Sequence, residues 1–208
     1  MSLYANRVYP ALVERLGDPP PIRALRRRLI PQARGVVLEI GFGSGANMPH
    51  YDPSHVARLF ALEPNGGMRQ LARRRVAKTT IKVDFIDLPG ERIPLDDASV
   101  DTVVSTFTLC TIADLEGALA GIVRVLRSNG VLIFLENSLA SEPDVQRWQR
   151  RWEPVLHRVF GGLRLTRDIP AYVVTAGLRL DTCQHLFLGS FPRSWSHCCS
   201  GTATRTTL

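Results

Sequence analysis

The sequence predicts an α/β fold: a doubly wound, mostly parallel, seven-stranded sheet closed by a C-terminal antiparallel hairpin. Three observations carry that expectation. Apolar runs of strand formers alternate with amphipathic stretches at helical spacing, joined by short links, as in a parallel sheet covered on both faces. The first run, Val36-Val37-Leu38-Glu39-Ile40, leads into a glycine-rich turn, Gly41-Phe42-Gly43-Ser44-Gly45. The C-terminal part reads as two strands, about 179–188 and 194–204, joined near Gly189–Pro192.

A chain of 208 residues is long enough for one full core, and a single domain over 1–208 is expected. No run of eighteen or more apolar residues occurs, and the start lacks a signal-peptide apolar region, since Asn6, Arg7, Glu14 and Arg15 interrupt it. The four cysteines, Cys110, Cys183, Cys198 and Cys199, are few and unevenly spaced, which suits a reduced, cytoplasmic protein. The net charge of +7 is almost all arginine, in clusters at Arg26–Arg28, Arg69–Arg75 and Arg147–Arg151. With no interleaved aromatics and no nucleic-acid motif, these clusters read as solvated helix faces, and no nucleic-acid partner is expected.

Taken in order, the first helix repeats Tyr4, Val8, Leu12 and Leu16 at helical spacing, with Pro10 marking where the helix proper starts. Gly17-Asp18-Pro19-Pro20-Pro21 stops it, and a second helix over about 22–29 ends before Pro31. These two helices either lie over a ligand or cover a sheet edge. Strand 1 is Val36–Ile40, a buried parallel strand by its continuous apolar run. The glycines after it let the backbone turn sharply and approach a ligand closely. Gly41, Gly43 and Ala46 also satisfy the looser dinucleotide spacing. Glu39, two residues earlier, instead suits a ligand that carries positive charge. Ala46-Asn47-Met48 opens a short helix, limited by Pro49 and Pro53. Strand 2, about 58–62, ends at Glu63, a carboxylate placed to accept hydrogen bonds from two ribose hydroxyls.

Asn65-Gly66 turns the chain into a helix from Met68 to about Val76, and strand 3 follows over 81–86. No helix is counted between strands 3 and 4. Strand 4 spans 100–107, and the run from Ser105 to Ile112 lies at its carboxyl end, where ligands bind in open α/β sheets. A helix over 114–126 shows Leu115, Leu119, Ile122 and Leu126 on one face. Ser128-Asn129-Gly130 then turns the chain into strand 5, Val131 to Glu136. A long amphipathic helix over 144–160 carries Trp148, Trp152, Val155, Leu156 and Val159. This stripe reads first as core, although it lies where such a fold builds a substrate pocket. Gly161-Gly162 ends that helix, and Asp168 with Pro170 starts a short one. The C-x-H of Cys183 and His185 and the His197-Cys198-Cys199 run are not a metal-ligand spacing, so no metal is expected.

The turn with Glu39 ahead of it resembles motif I, E/D-x-G-x-G-x-G, of the class I S-adenosylmethionine-dependent methyltransferases. Residues 34–51 and 100–112 are similar to bacterial relatives of the methyltransferase-like 7, or thiol methyltransferase-like, group within the ubiquinone/menaquinone type. Tyr4, Tyr9-Pro10 and Gly161-Gly162 with Arg167-Asp168 extend the likeness over most of the chain. The resemblance implies a Rossmann-like methyltransferase fold and S-adenosyl-L-methionine as cofactor. It also implies a small-molecule acceptor (thiol, quinone-like or lipid) methylated by direct in-line transfer. It divides the domain into an N-terminal helical cap (1–31), a cofactor-binding core (32–137) and a substrate-side helix with the closing hairpin (138–208).

The implied cofactor residues are Glu39, Gly41, Phe42, Gly43, Gly45 and Asn47 toward the methionine part, and Glu63 with Pro64 toward the ribose. Met68, the Gly90-Glu91 backbone and Thr106 complete the set. Thr108, Cys110, Glu136 and Asn137 are the acceptor-side candidates. Two positions depart from the family pattern. Pro89 stands where a polar side chain usually meets adenine, and Asn137 stands where a histidine is common after Glu136. No catalytic base is legible, and Cys110 reads as packed rather than nucleophilic. Two other readings are a non-catalytic S-adenosylmethionine-binding protein and an NAD(P)-dependent oxidoreductase. Glu39 and the hairpin argue against the latter. A weak contact of the N-terminal helices with an anionic membrane surface is a minor expectation. The sequence assigns no oligomeric state.

Overall fold

The structure is a computed structural model and describes residues 9–189 and 191–206. Seven strands form one sheet, β1 (Gly35–Ile40), β2 (Val56–Leu62), β3 (Lys82–Ile86), β4 (Val100–Thr106), β5 (Leu126–Asn137), β6 (Leu178–Phe187) and β7 (His197–Arg205), in the order β3-β2-β1-β4-β5-β7-β6. Strands β1 to β5 pair in parallel, and β7 runs antiparallel to both β5 and β6. The order reverses beside β1, so the turns after β1 and β4 open on the same crevice, the switch point where such sheets bind ligands.

The helices are α1 (Tyr9–Leu16), α2 (Pro20–Leu29), α3 (Gly66–Val76), α4 (Leu115–Val125), α5 (Pro143–Val159), α6 (Ile169–Thr175) and α7 (Arg193–Ser196). The alternation along β1 separates two cores. Leu38 and Ile40 face α4 and α6, packing with Leu119, Ile122 and Ile169. Val37 points the other way, among Leu29, Leu59, Ala72 and Ile133. Leu38, Ile40, Leu59, Leu119, Ile122 and Phe134 are fully buried, each contributing about 1.5–3 kcal/mol. Asp114 caps α4, its carboxylate accepting the Gly117 N–H at 2.9 Å; Asp168 does the same for α6 and the Ala171 N–H at 3.2 Å.

Several expectations are corrected. Residues 44–47 form no helix, and only a 3₁₀ turn over Met48–His50 follows the glycines, because Pro49 leaves no room for a full turn. Ser128-Asn129-Gly130 is not a turn ahead of β5. It lies within β5 as a bulge, where the register jumps from Val100 opposite Leu126 to Thr102 opposite Val131. Ser194 to Ser196 belong to the short helix α7, so β7 starts only at His197. The tryptophan stripe of α5 is not core. The buried residues of that helix are Val145, Gln149 and Leu156, while Trp148, Trp152, Val155 and Val159 are exposed. The Tyr4 and Val8 end of the first amphipathic repeat lies outside the described residues. Gly201 of β7 accounts for the closeness of the hairpin: a Cβ there would come within 2.0 Å of the Thr182 carbonyl oxygen, beside the register shift of β6 between Leu180 and Thr182. Among the described residues no helix is long and apolar enough to cross a membrane.

Candidate active site

The crevice is a cavity of about 710 Å³. Its floor is the carboxyl end of β1 and β4, and one wall comes from α1 and α2, with Val13, Asp18, Ile22 and Arg26. The opposite wall comes from α5 and the segments after it, with Leu156, Phe160, Leu163 and Trp195. The N-terminal helices therefore form part of the cavity instead of only covering a sheet edge.

Glu39, at the end of β1, is almost fully buried yet borders the cavity. Its Oε1 accepts from Asn47 Nδ2 at 2.9 Å and its Oε2 from the Tyr51 hydroxyl at 2.6 Å. Burial pushes its pKa up to about 7, against the Tyr51 and Asn47 hydrogen bonds and the nearby Arg26 charge, which favour the ionised form. The turn beyond it has Gly41, Gly43 and Gly45 all at positive φ, +68°, +57° and +77°. At Gly41 a Cβ would also come within 2.0 Å of Thr108 Oγ1, so the turn can lie against the β4 loop only as glycine.

Glu63, ending β2, accepts the Gly43 N–H at 2.8 Å on Oε2 and the Asn65 N–H at 2.8 Å on Oε1. Each oxygen has capacity to accept a further hydrogen bond, and Glu63 lines the cavity. Burial holds its carboxyl above the ordinary range, opposed by those two N–H groups. Asn65 caps α3 by accepting the Met68 N–H at 3.0 Å, which fixes the buried Met68 side chain in the wall.

Of the other cofactor candidates, Phe42, Pro64, Gly90, Glu91 and Thr106 line the cavity, whereas Gly45 and Asn47 stand behind its surface. Asn47 is fully buried and links Glu39 to Thr106 Oγ1, which it reaches at 3.1 Å. Of the acceptor-side candidates, Thr108, Cys110 and Asn137 line the cavity. Glu136 does not. It is fully buried behind the β4 loop, accepting from Ser105 Oγ at 2.7 Å and from the N–H groups of Thr108 and Cys110 at 3.1 and 3.2 Å. Burial, and next the Glu136 charge, push the Cys110 thiol well above the usual thiol range. Among the described residues no histidine, lysine or tyrosine lines the cavity.

Three residues escaped the sequence reading. Arg26, in a cluster whose composition predicts a solvated helix face, is buried and lines the cavity. Its Nη1 donates to Asn47 Oδ1 at 2.5 Å and to Thr106 Oγ1 at 3.0 Å, and its Nε lies 3.3 Å from Asp18 Oδ1. That Nε contact is an ion pair whose angle is too poor for a hydrogen bond. Arg75, from the second cluster, donates to the Ser44 carbonyl at 2.8 Å and pairs with Glu14 at 2.5 Å, tying α1 to the glycine turn. Trp195 lines the cavity, and its buried indole N–H has no acceptor among the described residues. Only Asp18, just ahead of α2, could signal Arg26, as a carboxylate close by in sequence that pairs with it; the Trp195 placement has no local signal.

The donor set fits a zwitterionic nucleoside: carboxylates for an ammonium and a sugar diol, a guanidinium for a carboxylate, and a glycine cradle that a Cβ would fill. A methyltransferase domain model matches residues 38–134. The human thiol S-methyltransferase TMT1A is 31% identical over 170 residues, covering 79% of this chain and 67% of the human protein. The chain belongs to the class I S-adenosylmethionine-dependent methyltransferases. Its cofactor is S-adenosyl-L-methionine. The demethylmenaquinone methyltransferase of Clavibacter sepedonicus is 29% identical over 124 residues, covering 60% of this chain and 50% of that protein. The partner of the Haloferax volcanii Trm112 methyltransferase activator, in their solved complex, superposes with a TM-score of 0.73 at 20% identity. It covers 100% of this chain and 99% of its own, a likeness of fold. The chain spans about two thirds of the human relative's length. The family assignment sets aside the nicotinamide-dependent alternative.

Proposed function

We propose that this methyltransferase acts on a small thiol. The observation that carries the reading is a cavity whose described lining contains no histidine, lysine or tyrosine and whose carboxylates are engaged, Glu39 and Glu63 in the cofactor set, Asp18 by Arg26, Glu14 by Arg75 and Glu91 by the Asp114 N–H. A thiol, with a pKa of about 8.5, is a few per cent thiolate at neutral pH without help, whereas a phenol, alcohol or carbon acceptor needs its proton removed. The name of the human relative, a thiol S-methyltransferase, supports the same class.

In this reading Glu39 and the Gly41–Gly45 turn hold the amino-acid end of the cofactor, with Asn47 positioning Glu39. Arg26 faces its carboxylate, and Glu63 with Pro64 holds the ribose. Met68, the Gly90-Glu91 backbone and Thr106 complete the cofactor side. When bound, the cofactor supplies an electrophilic methyl on a sulfonium. The chain's own part is to align the acceptor sulfur in line with that methyl and to exclude water, the term worth most when no proton moves. Thr108, Asn137 and the Trp195 indole N–H are the polar groups on the acceptor side, while Glu136 shapes the loop from behind. The Cys110 thiol, kept protonated by its surroundings, does not compete for the methyl.

The test is transfer of a radiolabelled methyl to small acceptors: an alkyl thiol, a phenol, an amine and a quinol. The thiol should be methylated, with a rate that rises with pH as the free thiol ionises. Transfer to the quinol or amine in preference to the thiol contradicts the reading. Cofactor uptake with no transfer to any of them favours a binding protein instead.

A further inference from the structure

Helix α5 lays a row of apolar side chains on the molecular surface. Trp148 and Val155 are 53% and 51% exposed, and Trp152, at 37%, lies between them. At 3.6 residues per turn these three fall on one strip, which borders the face that buries Val145, Gln149 and Leu156, Trp152 lying about 20° from Val145 around the helix. Arg147, Arg151 and Arg158 fall together on the adjacent strip, and all three are exposed. Asp144, at the start of the helix, pairs with Arg147, but both partners are largely solvated and the pair is weak. The other acid of the helix, Glu153, is turned away and accepts the N–H and hydroxyl of Thr166, both at 2.8 Å.

A soluble helix usually buries its tryptophans and leaves its arginines scattered. Here an indole row and a guanidinium row run side by side on an exposed face, the arrangement of a helix lying in a lipid–water interface. The row also continues into the cavity. Trp152 packs edge-on against Trp195 at 5.2 Å, and Trp195 lines the cavity, as do Leu156 and Arg158 of α5. Phe191, 37% exposed, lines it from the loop before α7.

We propose that α5 docks the protein side-on to an anionic lipid bilayer, so that the acceptor wall of the cavity faces the lipid. The indoles sit at the headgroup level, and Arg147, Arg151 and Arg158 meet anionic headgroups. This moves membrane contact from the N-terminal helices, whose Arg26 is taken up inside the molecule, to the substrate side. The docking does not depend on which acceptor is methylated.

The test is co-sedimentation of the purified chain with vesicles of phosphatidylcholine alone and of phosphatidylcholine with phosphatidylglycerol, alongside tryptophan emission. Binding should require the anionic lipid, weaken with salt and shift the emission to the blue. Arg147→Glu with Arg151→Glu should lower vesicle binding at least about tenfold, and Trp148→Asp with Val155→Asp should remove the blue shift. Both pairs should leave S-adenosylhomocysteine uptake and thermal melting unchanged. Wild-type chain that ignores anionic vesicles, or variants that bind them as well as wild type, overturns the proposal. So does a lipid-free dimer that Trp148→Asp converts to monomer, since a second copy would then cover this face. Loss of S-adenosylhomocysteine uptake by the wild type would strike the cofactor reading and leave the docking result standing.

Discussion

At the scale of single residues the site is a set of acids held out of water. Glu39 shows what that does. Its carboxyl is raised from 4.5 to about 7, mainly by burial, so between those values the folded chain holds a proton that the unfolded chain has released. Its contribution to stability is therefore full at low pH and is lost as pH rises toward 7. A cationic ligand prefers the ionised form, so its affinity runs the other way. The expected outcome is a wild type that loses melting temperature relative to Glu39→Gln between pH 5 and 7, and gains cofactor affinity over the same interval by up to about tenfold per unit. Melting curves and calorimetric titrations of both proteins check it; parallel profiles would contradict it. Glu39, the glycine turn, Glu63 and Met68 were legible in the sequence because they are local: each sits at a strand end or helix start that its neighbours dictate. Arg26 and Arg75 were not, because a charged side chain on a short helix is solvated by default, and only the tertiary approach of α2 and α3 to the turn encloses them.

At the scale of elements, α2 acts as a clamp. Arg26 reaches from it to Asn47 and Thr106, which follow β1 and end β4, so one guanidinium fastens the N-terminal cap to two turns of the crevice. In the proposed function the same group meets the carboxylate of the cofactor. Arg26→Gln should then weaken binding of S-adenosylmethionine by about ten- to a hundredfold, the worth of a hydrogen bond to a charged group. It should weaken decarboxylated S-adenosylmethionine much less, so the wild type's discrimination between the two collapses. An equal loss for both ligands would mean that Arg26 only holds the cap. The strands were readable because buried parallel strands are continuous apolar runs. The bulge in β5 was not, since Ser128-Asn129-Gly130 has turn composition and only the pairing with β4 keeps it in the strand. The exposure of the α5 stripe is not legible for a related reason: helical spacing marks an apolar face but not what lies against it.

At the scale of the whole molecule, the strand order does most of the positioning. The reversal beside β1 brings the β1 turn, the β2 carboxylate and the β4 loop to one crevice, and the short helix α7, just ahead of the antiparallel β7, brings Trp195 to its wall. The cap closes the crevice from one flank and α5 from the other, with the exposed row of α5 facing outward. In the proposed function, cofactor binding depends on that crevice gripping the sugar of the nucleoside through Glu63. Isothermal titration of S-adenosylmethionine into the wild type and into Glu63→Ala tests this most directly. The prediction is saturable one-to-one uptake by the wild type and at least about tenfold weaker uptake by the variant; no uptake by the wild type, or equal uptake by both, would contradict it.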